Sequence, residues 1–301
     1  MRKVLKWLGI VLGGLLVVLV IAVISLYLVA QGRLNRDYDV QAAAITIPTD
    51  EAALARGEHL VQAVSACTGC HGDDLGGQAF IEDPMVGVIY SSNLTAGAGG
   101  VGAIYSDEDW ARAIRHGVRP TGKPLLVMPS QHFYRYSDED LGAMIAYLKS
   151  IPAVDRESGG RQLTVPAHVL MALGQFGPSV IPAEVIDHEG PHPGAPAPGV
   201  TAAYGEHLSY VGTCRDCHGA ELNGGQAGPG EPMAPNLTPG GELAGWSEAN
   251  FMALMRTGTT PTGRQVDEFM PWDLYANMSD EELQALWMYL QSTTPVASFV
   301  P

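Results

Sequence analysis

Residues 57–78 read GEHLVQAVSACTGCHGDDLGGQ, and residues 205–226 read GEHLSYVGTCRDCHGAELNGGQ. Self-similarity at a fixed offset means that one structural unit is used twice, so the chain is read as two copies. The two Cys-x-x-Cys-His runs lie 147 residues apart, and the same elements follow each in the same order. These are Asn-Leu-Thr (Asn93, Asn236), a helix-like stretch ending in Arg-x-Gly (Arg115 to Gly117, Arg256 to Gly258), and Met-Pro (Met128-Pro129, Met270-Pro271). Each copy then closes with a helix that starts on a capping pattern, Ser137-Asp-Glu-Asp140 or Ser279-Asp-Glu-Glu282. Its apolar residues, Leu141, Met144, Ile145, Leu148 and Leu283, Leu286, Trp287, Leu290, fall at i, i+3, i+4, i+7 and predict one buried face.

Stretches 106–116 and 247–256 also read as helices, with Trp110, Ala113, Ile114 and Phe251, Leu254, Met255 on their apolar sides. Alternating strand patterns are scarce, and the glycine clusters 97–102 and 224–230 read as loops. An all-α fold follows, with one copy over 50–153 and the other over 200–297. The span 154–199 between them holds an apolar piece, 165–176, and the Pro-rich 191–198, and is read as a semi-rigid linker.

All four cysteines are spent in Cys67-Thr-Gly-Cys70-His71 and Cys214-Arg-Asp-Cys217-His218, the attachment pattern of c-type haem. Two thiols on one helical turn can form thioethers with the two vinyl groups on one porphyrin edge, and the adjacent imidazole reaches the iron. Two redox-active dithiols or a four-cysteine zinc site are the competing readings. The first needs a βαβ context that is missing, and neither explains a histidine after both pairs. Two covalently attached haems are therefore expected, with His71 and His218 as proximal ligands.

Met128 follows His71 by 57 residues and Met270 follows His218 by 52, which makes them the expected distal ligands. A thioether is a soft neutral donor that favours the ferrous state. Methionine is most often core filling, but recurrence at matched positions argues against that here. Met85 and Met233, 14 and 15 residues after the histidines, are read as haem-wall residues. His59 and His207 match each other in the first helix of each copy and are expected to face solvent; bis-histidine ligation is the weaker alternative. His168, His188 and His192 have no repeat partner and are read as surface residues. The Asn-Leu-Thr sequons formally permit glycosylation, but their place in both copies points to a role in the fold.

With 46% apolar residues, 36 glycines without a three-residue period and 4 cysteines in 301 residues, disorder, collagen and a disulfide scaffold are excluded. The formal charge is −15, and the chain beyond residue 36 carries 12 basic against 32 acidic residues. Such a surface does not neutralise phosphates, so nucleic acid is excluded; a basic or neutral redox protein fits better. Trp7 to Ala30 is a run of 24 uncharged residues, enough to cross the roughly 30 Å bilayer core. A cleaved signal peptide usually has a shorter apolar stretch and a small-x-small site, which is poor here, so a processed leader is the weaker alternative; Arg2, Lys3 and Lys6 precede the run. Residues 1–36 are therefore expected to be a cytoplasmic stub and single-pass anchor, with the remainder exported, although Arg33 and Arg36 reduce that charge asymmetry.

The order of motifs in each half is similar to that of tandem class I cytochrome c domains, as in cytochrome subunits of bacterial membrane-bound dehydrogenases and other respiratory dihaem cytochromes. This resemblance implies a helical fold whose first and last helices cross, with Gly57 approaching Tyr147 and Gly205 approaching Tyr289. Such subunits often carry three haem domains and a C-terminal membrane segment, whereas this chain shows two domains and an N-terminal apolar run. The expectation is a membrane-tethered dihaem electron carrier on the periplasmic side of a bacterial membrane, serving a respiratory or photosynthetic chain. It would pass single electrons from a membrane or dehydrogenase donor to an extracytoplasmic acceptor and would have no catalytic residues of its own. The alternative is a dihaem peroxidase or thiosulfate-oxidising enzyme with one labile distal ligand.

Overall fold

The computed structural model describes residues 2–190, 193–226 and 231–299. The apolar N-terminal run forms one long helix, α1 (Arg2–Leu34). The first copy contains α2 (Glu51–His59), α3 (Cys67–His71), α4 (Asp107–His116), α5 (Ser130–Phe133) and α6 (Asp138–Ser150). After α7 (Val165–Ala172), the second repeats the series as α8 (Ala202–Val211), α9 (Cys214–His218), α10 (Glu248–Thr257), α11 (Trp272–Tyr275) and α12 (Asp280–Ser292).

The longer helices start where the serines place them. Ser106, Ser247 and Ser279 form reciprocal capping boxes with Asp109, Asn250 and Glu282. Ser137 accepts from the Asp140 amide, while the Asp140 carboxylate turns to Arg56 at 2.9 Å. The crossings depend on two glycines. A Cβ on Gly57 would lie 2.0 Å from the Ala143 carbonyl oxygen and 3.0 Å from the Tyr147 Cβ; on Gly205 it would lie 1.9 Å from the Ala285 oxygen and 2.7 Å from the Tyr289 Cβ. Thus α2 meets α6, and α8 meets α12, backbone against backbone. Copy one has one more residue between this glycine and its first cysteine, and a π-helical turn, Leu60–Val64, takes up the extra residue.

The all-α expectation is corrected by short strands. β1 (Ala79–Asp83) and β2 (Gly87–Tyr90) form an antiparallel hairpin, and β3 (Arg161–Leu163) joins β2 from far along the chain. In the second copy, β4 (Asn223–Gln226) pairs with β5 (Met233–Asn236), where a loop was expected; residues 227–230 of that expected loop lie outside the described residues. These strands, of three to five residues, are too short to show an alternating pattern, and β3 depends on a distant partner.

The span expected as a linker is folded over much of its length. Ala30 and Leu34 of α1 form a small core with Met171 and Ile181. Arg33 pairs with Glu184 at 2.6 Å and donates to the Met171 carbonyl at 2.6 Å, which accounts for a basic residue at this end of the apolar run. His168, expected at the surface, is buried: its Nδ1 donates to the Thr164 carbonyl, its Nε2 accepts from Gln31, and its ring lies against Tyr27. His188 is half-buried and bonded to His116 and to the Ala183 carbonyl. Pro191 and His192 lie outside the described residues.

The two copies share one buried core. His59 donates to Glu282 at 2.7 Å, Arg56 reaches the same carboxylate at 3.5 Å, and Ser65 bridges the Tyr136 hydroxyl and the Val211 carbonyl. His59 and His207 therefore do not face solvent as expected: the first is half-buried in this ion-pair network, and the second is buried against Tyr136 and Tyr204. Burial lowers the His207 pKa to about 4, with Arg135 and Arg56 adding to it and Asp140 opposing it. A buried neutral histidine binds fewer protons than the unfolded chain. Stability should therefore be full above the unfolded value near 6.5 and fall as pH drops toward 4, by about 3 kcal/mol for this group. Denaturant unfolding between pH 7 and 4 checks this, and His207→Gln should flatten the profile.

Two candidate haem sites

Each cysteine pair sits on a single five-residue turn. The residue before it, Ala66 or Thr213, is left-handed (φ 46° and 55°), which turns the chain sharply from the preceding helix into the motif. All four thiols are unpaired and half-buried, and Cys67 and Cys214 pack on the shared core. Burial pushes Cys67 and Cys214 up to about 12 and Cys70 and Cys217 up to about 11. A redox dithiol needs a depressed pKa, so these pairs are poor dithiol catalysts. Among the described residues no group of three or more side chains gathers as a zinc site would need.

The histidines are set identically. His71 Nδ1 donates to the Ser92 carbonyl and His218 Nδ1 to the Pro235 carbonyl, both at 2.8 Å. That bond selects the tautomer and leaves Nε2 as the free donor atom for iron. Burial lowers both ring pKa values against the opposing backbone bonds, so both rings stay neutral and able to ligate.

The acceptor carbonyl belongs in each case to the residue before Asn-Leu-Thr, which gives that motif its purpose. Asn93 is fully buried; its Nδ2 donates to the Val154 and Arg156 carbonyls, and its Oδ1 accepts from the Thr95 amide and hydroxyl. Asn236 does the same with the Val296 carbonyl and Thr238. Both sequons thus serve the fold. Asn93→Ala removes four hydrogen bonds and leaves the buried Thr95 amide and the Arg156 carbonyl without these partners, while the Thr95 hydroxyl keeps the Val154 carbonyl, so about 2 kcal/mol of stability should be lost. The Ser92 carbonyl should also loosen its hold on His71; denaturant unfolding together with the haem absorbance of copy one reads both effects.

Met128 and Met270 are half-buried and pack on the same core as Cys67 and Cys214. Val127, just before the first, is left-handed (φ 67°). Met85, expected on a haem wall, lies in the turn between β1 and β2, and Met233, expected likewise, opens β5; they are 57% and 45% exposed. The Arg-x-Gly arginines brace the last helices: Arg115 bonds Asp138 and the Tyr136 carbonyl, and Arg256 bonds Asp280 and the Met278 carbonyl.

The side chains present fit haem c. Each copy holds a thiol pair, a neutral imidazole with a free nitrogen and a thioether on one core, and copy one also buries the Trp110 indole N–H without an acceptor. Residues 52–148 match the family described as cytochrome c oxidase, cbb3-type, subunit III, and residues 202–294 match cytochrome c. Both halves are cytochrome c domains. Haem c binding goes with that assignment. The chain is 29% identical over 286 residues to the cytochrome c subunit of alcohol dehydrogenase (quinone) from Gluconobacter oxydans (strain 621H), covering 84% of this chain and 57% of that one. It is 29% identical over 269 residues to the fructose dehydrogenase cytochrome subunit of Gluconobacter japonicus, covering 79% and 52%. The gluconate 2-dehydrogenase cytochrome c subunit of Pantoea cypripedii gives 29% over 286 residues, 83% and 62%. The chain thus spans about half to three fifths of these relatives' length.

The sequence reading missed how the two cytochrome c domains meet. His132, four residues after Met128, donates to Asp216, the middle of the second cysteine motif, at 2.7 Å. Leu274, four residues after Met270, lies where a Cβ on Gly69, the middle of the first motif, would come within 3.0 Å of its Cδ1. Each attachment motif is therefore abutted by the short helix that follows the other copy's Met-Pro. Only equivalence of His132 with Leu274, and of Gly69 with Asp216, within the repeat pointed to it.

Proposed function

We propose that the protein is a membrane-tethered dihaem cytochrome c that relays single electrons between a membrane dehydrogenase donor and an extracytoplasmic acceptor. Cys67, Cys70, Cys214 and Cys217 hold two haems by thioether bonds, with His71 and Met128 on one iron and His218 and Met270 on the other. The haems supply one-electron chemistry. The chain's own residues hold them in place, keep the imidazoles neutral and exclude water. The domains are taken as 50–153 and 200–297, after an anchor within 1–36 and joined by 154–199. Residues beyond α1 would lie on the periplasmic side of a single span.

The observation that carries this reading is the reciprocal abutment of the attachment motifs, through His132 with Asp216 and Leu274 with Gly69. It directs both cofactor-bearing turns into one interface, as a relay between two centres requires. With methionine on both irons no position is left for a substrate, and oxidation of the organic substrate would belong to a partner subunit. The relatives are named as cytochrome subunits of dehydrogenases, in keeping with that division. The acidic surface suits a basic docking partner whose association weakens with salt.

A redox titration of the purified protein followed by visible and near-infrared absorption tests the reading. Two low-spin haems, each with a ferric methionine charge-transfer band and neither binding carbon monoxide, are expected. One high-spin haem that binds carbon monoxide or peroxide would overturn it in favour of a dihaem enzyme.

A further inference from the structure

Among the described residues, one helix is long and apolar enough to cross a membrane, and it does not end free. At 1.5 Å per residue its 24 uncharged residues span about 36 Å, roughly 6 Å more than a bilayer core, so the last turn, from Tyr27 to Ala30, rises to headgroup level. That turn and the next are where α7 is packed. Tyr27 and His168 have ring centroids 4.5 Å apart, Gln31 reaches His168 at 2.9 Å, and Arg33 reaches the Met171 carbonyl at 2.6 Å. The covered stripe on α1, Val23, Leu26, Tyr27, Ala30, Gln31 and Leu34, has helical spacing.

We infer that α7 and the turn after it form a second membrane contact, lying in the headgroup and upper acyl zone of the outer leaflet beside the anchor. The inference rests on the reading of α1 as a span. Three independent features support it. Residues 162–183 contain no Asp, Glu, Lys or Arg over 22 positions, in a region that otherwise carries 32 acidic and 12 basic residues. Its helix turns apolar side chains outward: Val165 is 51% and Leu173 55% exposed, with Val169 and Leu170 half-exposed between them, and the exposed polar side chains, Gln162 and Gln175, lie outside the helix and carry no charge. The helix that carries this apolar surface packs on α1 at Tyr27, Ala30 and Gln31, where Ile24, Leu28 and Val29 of α1 are themselves exposed.

The segment is also finished internally, as an element leaving water must be. Thr164 caps the start of α7 through the Ala167 amide, and Pro166 has no N–H to satisfy. At the other end, the Leu173, Gly174 and Gln175 amides return to the Val169, Met171 and Leu170 carbonyls. The one titratable side chain, His168, has both nitrogens bonded. Few polar groups lose water when this surface meets lipid. Because β3 runs directly into α7 and pairs with β2, the contact ties copy one rigidly to the bilayer.

The test uses the full-length holoprotein, whose native thiols are consumed by haem, in vesicles of phosphatidylcholine and phosphatidylglycerol. Single cysteines at Val165→Cys, Leu173→Cys, Val17→Cys and Gln291→Cys carry a nitroxide. Collision with oxygen is compared with collision with a water-soluble nickel chelate, and haem absorbance confirms that each variant is folded. The oxygen-to-nickel ratio at 165 and 173 should exceed that at 291 by roughly three-fold or more and fall below that at 17. Ratios at 165 and 173 equal to that at 291, with 17 deep, would overturn the lipid contact and leave the anchor standing. A ratio at 17 equal to that at 291 would overturn both.

Discussion

Replacing Cys67 and Cys70 together by alanine should halve the haem that remains on the denatured polypeptide, from two per chain to one. Thioether bonds survive unfolding, whereas the coordination proposed for His71 and Met128 would not, so the assay separates attachment from ligation. Haem content per chain and intact mass read the result, and the reciprocal pair Cys214→Ala with Cys217→Ala should give the same loss. Retention of both haems in either variant would contradict the assignment. A partial effect on the other copy is also expected, because each motif supports the interface. Asp216 accepts from His132, and Gly69 lies against Leu274. The remaining haem should therefore shift in potential while staying bound.

Gly205→Ala should be the most destabilising single-methyl change in the second copy. Its Cβ would stand 1.9 Å from the Ala285 carbonyl oxygen and 2.5 Å from the carbonyl carbon, and both are backbone atoms that cannot rotate away. The helices would have to part by more than an ångström, opening the core that Leu208, Leu283 and Leu286 fill. Overpacking of this kind costs about 3 kcal/mol or more. Gly57→Ala faces the same contact with Ala143 at 2.0 Å, while Gly194→Ala meets nothing within 4 Å and serves as the control. Denaturant unfolding followed by far-ultraviolet dichroism reads the difference. Loss of less than 1 kcal/mol in both helix variants would mean that the crossings can open without penalty.

Much of this was legible because it is local. The cysteine pairs, the capping serines and the apolar stripes act over one to three turns, and spacing alone places them on one face. The crossing glycines were legible through the resemblance, and the repeat doubled each signal. What was not legible depends on residues brought together from far apart. β3 is a strand only because β2 lies beside it. His168 is buried only because α7 folds onto α1. His59 and His207 gave no sign that they face the other copy, since their own helices look like solvent-exposed first helices.

The sequence by itself pointed to the chemistry: thiol pairs spaced for a porphyrin edge, a histidine beside each pair, a methionine at a matched position in each copy, and a segment long enough to sit in lipid. These follow from covalent reach and from periodicity along a few turns. The tertiary structure alone decided the tautomer of each histidine, the apposition of the two attachment motifs and the docking of α7 on the anchor. Each of those depends on a contact between residues 17 or more apart, such as His71 with Ser92, His132 with Asp216 and Arg33 with Glu184. Such pairs form when burial of a shared core repays the entropy of closing the loops between them, and residue spacing carries no record of that balance.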